Sequence, residues 1–134
     1  VVEEGLDVRE LECGIIGKFK LSTSEIGEVS YSTDWYDYDS KYSMDNKIII
    51  PADIDSQISK KIKDIAIQSC RALNIYGFAR VDFFLEKISN KIFLNEINTI
   101  PGFTSKSMFP MLWNASGLNI DQLVAKLIEI SSDL

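Results

Sequence analysis

Histidine is absent from the 134 residues, cysteine occurs twice and proline three times. Without an imidazole there is no histidine base and no histidine-dependent metal site, so a metal held by this chain has hard oxygen donors around it. Cys13 and Cys70 each sit in apolar company, and two thiols suit a reducing cytoplasm better than a disulfide framework. The 14 Lys and Arg residues form no run and are outnumbered by 20 Asp and Glu; a net charge of −6 argues against a nucleic-acid surface. Neither a secretory signal pattern nor an apolar stretch of membrane-spanning length is present, so no membrane partner is expected. Internal repeats and low-complexity tracts are also missing.

What remains is a chain long enough to bury a core, with 46% apolar residues, for which one domain over residues 1–134 is the expected count. Strands are predicted over 10–18 and 26–32. Residues 33–46, rich in aromatic and acidic side chains, lack any period and read as an ordered or closing loop that ends at 48–51. Ile58, Ile62, Ile65, Ala66, Cys70 and Leu73 recur at helical spacing over 55–74. Two alternating runs, 78–85 and 91–99, flank a polar break at 87–90, the pattern of a β-hairpin. A short helix over 110–116 and a last amphipathic helix capped by Asn119 and Gln122 complete an α+β fold with a mainly antiparallel sheet packed by helices.

The hairpin carries the chemistry. With its turn centred on Ser89, Asp82 lies opposite Glu96 and Arg80 opposite Asn98, and the two-residue period of a strand puts all four on one face. That face continues into Phe84, Ile92 and Leu94. The other face, with Ala79, Val81, Phe83, Leu85, Phe93 and Ile97, is apolar except for Asn95. An isolated Arg-x-Asp pair is most simply a surface ion pair. Two facing carboxylates, an amide and an arginine together point instead to magnesium, with phosphate completing the coordination and Arg80 on a phosphate or an oxyanion. The following loop, NTIPGFTSKS from Asn98, offers backbone amides and hydroxyls suited to an anion.

The segments RVDFF, NEINTIPGFT and SKSMFP, the opening VVEEGLDVRELECGIIG and the loop WYDYDSKY together resemble the C-terminal part of D-alanyl-D-alanine ligase, an ATP-grasp family of bacterial cell-wall synthesis. The resemblance covers nearly the whole chain. It implies the C-terminal lobe of an ATP-grasp domain, with the N-terminal domain and the first ATP-grasp half lying outside these residues. It further implies a cytoplasmic ligase that joins two D-alanines for peptidoglycan precursors through an acyl phosphate, using ATP and two magnesium ions, for which manganese can substitute.

Residue by residue, the resemblance implies Asp82, Glu96 and Asn98 as metal ligands and Arg80 on the acyl phosphate and tetrahedral intermediate. It places Glu3, Glu4 and Leu6 at the adenine, Glu10 on the ribose, and Phe84 with Leu94 under the base. Lys41 would reach the γ-phosphate and Tyr42 would lie over the first D-alanine. Gly102 would lend an amide to the oxyanion, and Ser107 with Met108 would hold the carboxylate of the second D-alanine. Taken without the resemblance, Glu3, Glu4 and Glu10 read as a solvated acidic edge, Lys41 as a loop lysine, Phe84 as core and Ser107 as a helix cap. Family members commonly dimerise, and the remainder of the ligase chain is the implied partner. Alternatives are D-serine as acceptor, another ATP-grasp carboxylate–amine ligase, and a non-catalytic nucleotide-binding module.

Overall fold

A computed structural model describes residues 2, 4–30 and 47–132. Among the described residues, five strands and three helices follow in the order β1 (Val8–Gly17), β2 (Leu21–Ser30), β3 (Lys47–Ile49), α1 (Ser56–Ala72), β4 (Gly77–Glu86), β5 (Ile92–Asn98), α2 (Met108–Ala115) and α3 (Ile120–Ser132). The strands form one sheet of order β3-β2-β1-β4-β5, with every neighbouring pair antiparallel. This is the expected α+β fold, and β1 lies at its centre.

Period-two alternation divides β4 cleanly between the two faces of the sheet. Ala79, Val81, Phe83 and Leu85 are buried and join Leu11, Cys13 and Ile15 of β1 beneath α1, whose Ile62, Ala66 and Cys70 complete this core. Helix α1 starts where the Asp55 carboxylate accepts from Gln57 N at 2.7 Å. It stops at Leu73, which is 64% exposed rather than part of the apolar stripe as expected, and Asn74 then takes the left-handed backbone conformation.

Among the described residues, the opposite face is covered over only one end. There Ile16, Phe109, Trp113 and Leu123 form a second core with Phe78, Phe103, Leu127 and Ile130 against it. Helix α2 approaches closely because the strands beneath it carry glycine. A Cβ on Gly14 would stand 2.7 Å from Trp113 Nε1, and one on Gly27 would stand 2.8 Å from Leu112. Asn119 and Gln122 exchange backbone-to-side-chain hydrogen bonds at 3.0 and 2.9 Å, closing the predicted cap of α3.

Three departures from expectation have local reasons. Strand β2 begins at Leu21, five residues early, because Ser24 and Glu25 both oppose Gly14 at a bulge that hides the alternation. Lys47–Ile49 pairs with β2 as a short edge strand. Helix α2 starts at Met108, two residues before Pro110, which a first turn tolerates because its missing N–H has no helical partner there.

Candidate functional site

The β4–β5 register is the predicted one where it matters: Arg80 pairs with Asn98 and Asp82 with Glu96. Beyond Asp82 the register slips by one, so that Phe83 meets Leu94, Phe84 meets Phe93 and Leu85 meets Ile92. Asn95 is the extra residue, a bulge that accounts for the one polar side chain in an otherwise apolar row. The slip corrects the expected faces of residues 92–94. Ile92 packs into the core under α1, and Phe93, not Leu94, stands across from Phe84. Leu94 falls opposite Phe83 and is 44% exposed, which separates it from the floor that Phe84 was expected to share with it.

Strand β1 adds what the hairpin alone does not show. Its register places Glu10 opposite Phe84, Glu12 opposite Asp82 and Gly14 opposite Arg80. The site is therefore a grid across three strands, with rows Glu10–Phe84–Phe93, Glu12–Asp82–Glu96 and Gly14–Arg80–Asn98. Helices α2 and α3 close the face from the Gly14 side.

Arg80 is the cation of this grid. Its Nε and Nη2 each donate to Asp82 at 2.7 Å in a two-pronged fork, and Glu12 Oε2 lies 2.8 Å from Nε. All three side chains are largely buried, with 18, 13 and 14% of Arg80, Asp82 and Glu12 exposed. The Asp82 hydrogen bonds raise the Arg80 pKa further, so the guanidinium stays charged. Burial and the neighbouring Asp82 charge push the Glu12 carboxyl up to about 7.

The folded state thus holds a proton on Glu12 between about 4.5 and about 7, where the unfolded chain has released it. Stability falls as pH rises through that window and stays lower above it. Glu12→Gln is expected to remove this fall and to raise stability near pH 8 by roughly 1–3 kcal/mol. Urea unfolding of the metal-free full-length protein near pH 5 and pH 8 reads the effect, and an unchanged gap between the two pH values would contradict it.

Glu12 was legible in part. Glu10-Leu11-Glu12-Cys13 alternates, which puts both acids on one face, but nothing local announces that β1 lies beside β4, 70 residues away in the chain.

The loop after β5 is tied to both ends. Asn98 Oδ1 accepts from Ile100 N at 3.0 Å, and Ser107 Oγ accepts from Thr104 N at 3.1 Å. Gly102 packs close to Ser107, since a Cβ there would be 2.9 Å from Ser107 Oγ. Ser107 occupies the N-cap position of α2, while the Met108 side chain is buried near Gly27, leaving its backbone as the part able to meet an anion. Glu4 and Leu6 precede β1, the first exposed and the second half-buried. Glu3, Lys41, Tyr42 and the whole 33–46 loop lie outside the described residues.

A family model described as the D-Ala D-Ala ligase C-terminus matches residues 1–129. The chain belongs to this family. It is 92% identical over its whole length to the D-alanine–D-alanine ligase of Prochlorococcus marinus subsp. pastoris, and it spans 38% of that relative. Among solved structures, it is similar to the D-alanine-D-alanine ligase of Coxiella burnetii, with 36% identity and a TM-score of 0.83 over 98% of this chain and 34% of that one. It is likewise similar to the VanG D-Ala:D-Ser ligase of Enterococcus faecalis, with 38% identity and a TM-score of 0.82 over 95% of this chain and 37% of that one. The sheet and helices described above are thus the α+β arrangement of a ligase-family ATP-grasp domain. No helix among the described residues is long and apolar enough to cross a membrane.

The donor set suits the ion such a ligase would need. Asp82, Glu96 and Asn98 present only oxygen ligands from neighbouring register positions, as magnesium prefers. Among the described residues no three acidic or cysteine side chains close into a cage. An ion held by Asp82, Glu96 and Asn98 would have room for phosphate and water, which is how magnesium is commonly held.

Proposed function

We propose that the chain is the C-terminal lobe of an ATP-dependent D-alanine–D-alanine ligase, working only with the remainder of the ligase chain. The carrying observation is the buried Arg80 fork on a sheet face that also presents Asp82, Glu96 and Asn98 in register. In this reading Asp82, Glu96 and Asn98 hold magnesium, which neutralises phosphate oxygens when bound. Arg80 steadies the phosphoryl group of the acyl phosphate and then the oxyanion formed when the second amine attacks. Glu10 and Phe84 lie at the end of the grid suited to ribose and base, with Glu3, Glu4 and Leu6 leading in and Phe93 replacing Leu94 beside Phe84. Gly102, Ser107 and the Met108 amide sit where the α2 start favours a carboxylate. Lys41 and Tyr42 complete the assignment, on the γ-phosphate and the first D-alanine. The chemistry supplied by this chain is positioning and electrostatic stabilisation, and these 134 residues contribute no histidine base.

The test compares ADP release by the full-length protein with D-alanine, D-serine and D-lactate as acceptors. D-alanine is expected to give the highest kcat/KM, and no ADP release with any D-amino acid would overturn the reading. The 134-residue chain alone, with ATP, magnesium and D-alanine, is expected to release no phosphate above background, because it spans 38% of the relative it matches and this reading assigns the other phosphate-binding and first-substrate groups to the remainder. A second reading, D-serine as acceptor, is favoured by the likeness to the VanG enzyme and is decided by the same comparison.

A further inference from the structure

Two carboxylates contact Arg80 on unequal terms. Asp82 accepts from both Nε and Nη2, whereas Glu12 Oε2, 2.8 Å from the same Nε, receives no hydrogen bond because the Nε–H is aimed at Asp82. A buried acceptor in that condition is costly, and across β2 its register partner Gly27 offers no side chain to relieve it. The other charges acting on Glu12 are the carboxylates of Asp82, Glu10 and Glu96, so Arg80 is the one attractive charge identified for it among the described residues. As a static ion pair, Arg80 and Asp82 need no third member. A second acceptor beside the Nε–H gains a purpose if the first is drawn elsewhere, and Asp82 is also the residue assigned above to a cation.

We propose that Glu12 is a positioning residue that takes over the Arg80 Nε–H when the Asp82 carboxylate turns to a divalent cation, holding the guanidinium in place for the acyl phosphate. This rests on the ligase reading. The geometry requires little movement: Glu12 sits on the central strand, directly across from Asp82, and already lies within hydrogen-bond distance of Nε. A carboxylate that faces a divalent ion is a poorer acceptor for arginine, and an arginine released from its anchor would lose the orientation on which a fixed electrostatic site depends.

In the full-length protein, Glu12→Ala is expected to lower kcat about 10- to 100-fold, the scale of a lost charge-assisted hydrogen bond, with KM for ATP changed less than threefold. Glu12→Gln keeps an acceptor oxygen and is expected to recover to within about tenfold of wild type. In an Arg80→Lys background, which lacks the Nε–H, Glu12→Ala is expected to add less than about twofold. Independent of turnover, the Arg80 Nε–H resonance of 15N-arginine-labelled protein with magnesium and ADP is expected to exchange with water at least about tenfold faster in Glu12→Ala than in wild type or Glu12→Gln. Equal exchange in all three proteins, full additivity with Arg80→Lys, or a Glu12→Ala kcat within twofold of wild type would each overturn the proposal. Should the wild-type protein release no ADP with any D-amino acid, the ligase reading falls while the exchange measurement still decides whether Glu12 anchors Arg80.

Discussion

Arg80→Ala in the full-length protein is expected to cut D-alanine-dependent ADP release by roughly 10²- to 10³-fold, the cost of removing a preorganised donor to a developing oxyanion. Two effects add in the same direction. In the proposed reaction the acyl phosphate loses its fixed cation, and Asp82 and Glu12 lose the positive charge that both contact. Breaking a buried ion pair from one side leaves an uncompensated charge, so a urea titration of the same variant separates lost folding from lost chemistry. Arg80→Lys keeps the charge without the fork and is expected to fall between the two. A folded Arg80→Ala protein retaining activity within tenfold of wild type would remove Arg80 from the chemistry.

Phe109→Ala is expected to destabilise the protein by about 3–5 kcal/mol, the range for deleting a buried aromatic side chain. Phe109 is fully buried and its ring lies 5.8, 5.9 and 6.4 Å from those of Phe78, Phe103 and Trp113, joining β4, the loop after β5 and α2 at one point. Phe109→Leu fills more of the space and is expected to cost less. Because Phe103 and Phe109 bracket Ser107 and Met108, the same deletion is expected to raise KM for the acceptor more than KM for ATP. Denaturant midpoints and the two KM values check this, and a stability loss under about 1 kcal/mol would show that the cluster relaxes around the gap.

The hairpin was the most legible part of the chain because its information is local. Alternation over 78–85 and a polar break at 87–90 were enough to pair Arg80 with Asn98 and Asp82 with Glu96. The same reasoning failed just beyond Asp82, since a period-two rule has no means of placing a bulge, although the misplaced Asn95 was its visible trace. The place of Glu12 beside Asp82 was not legible, because it arises through pairing between β1 and β4, with β2, β3 and α1 intervening in the chain. Helix caps such as Asn119 with Gln122 were readable from side-chain chemistry three residues apart. The half-covered sheet face was not, because it depends on where Phe109 and Trp113 dock rather than on any pattern within α2.

The extra residue in β5 gives the strand two phases. The half holding Glu96 and Asn98 is phased to Asp82 and Arg80, and the half holding Ile92 and Phe93 is phased to Leu85 and Phe84. A loss of Asn95 would therefore invert one half while leaving the other in register. When relatives are aligned, a gap or insertion at this position should be read as a switch of which side chains face the site, not as neutral drift in an edge strand. The half proposed to hold metal and the half proposed to meet the base are free to diversify separately.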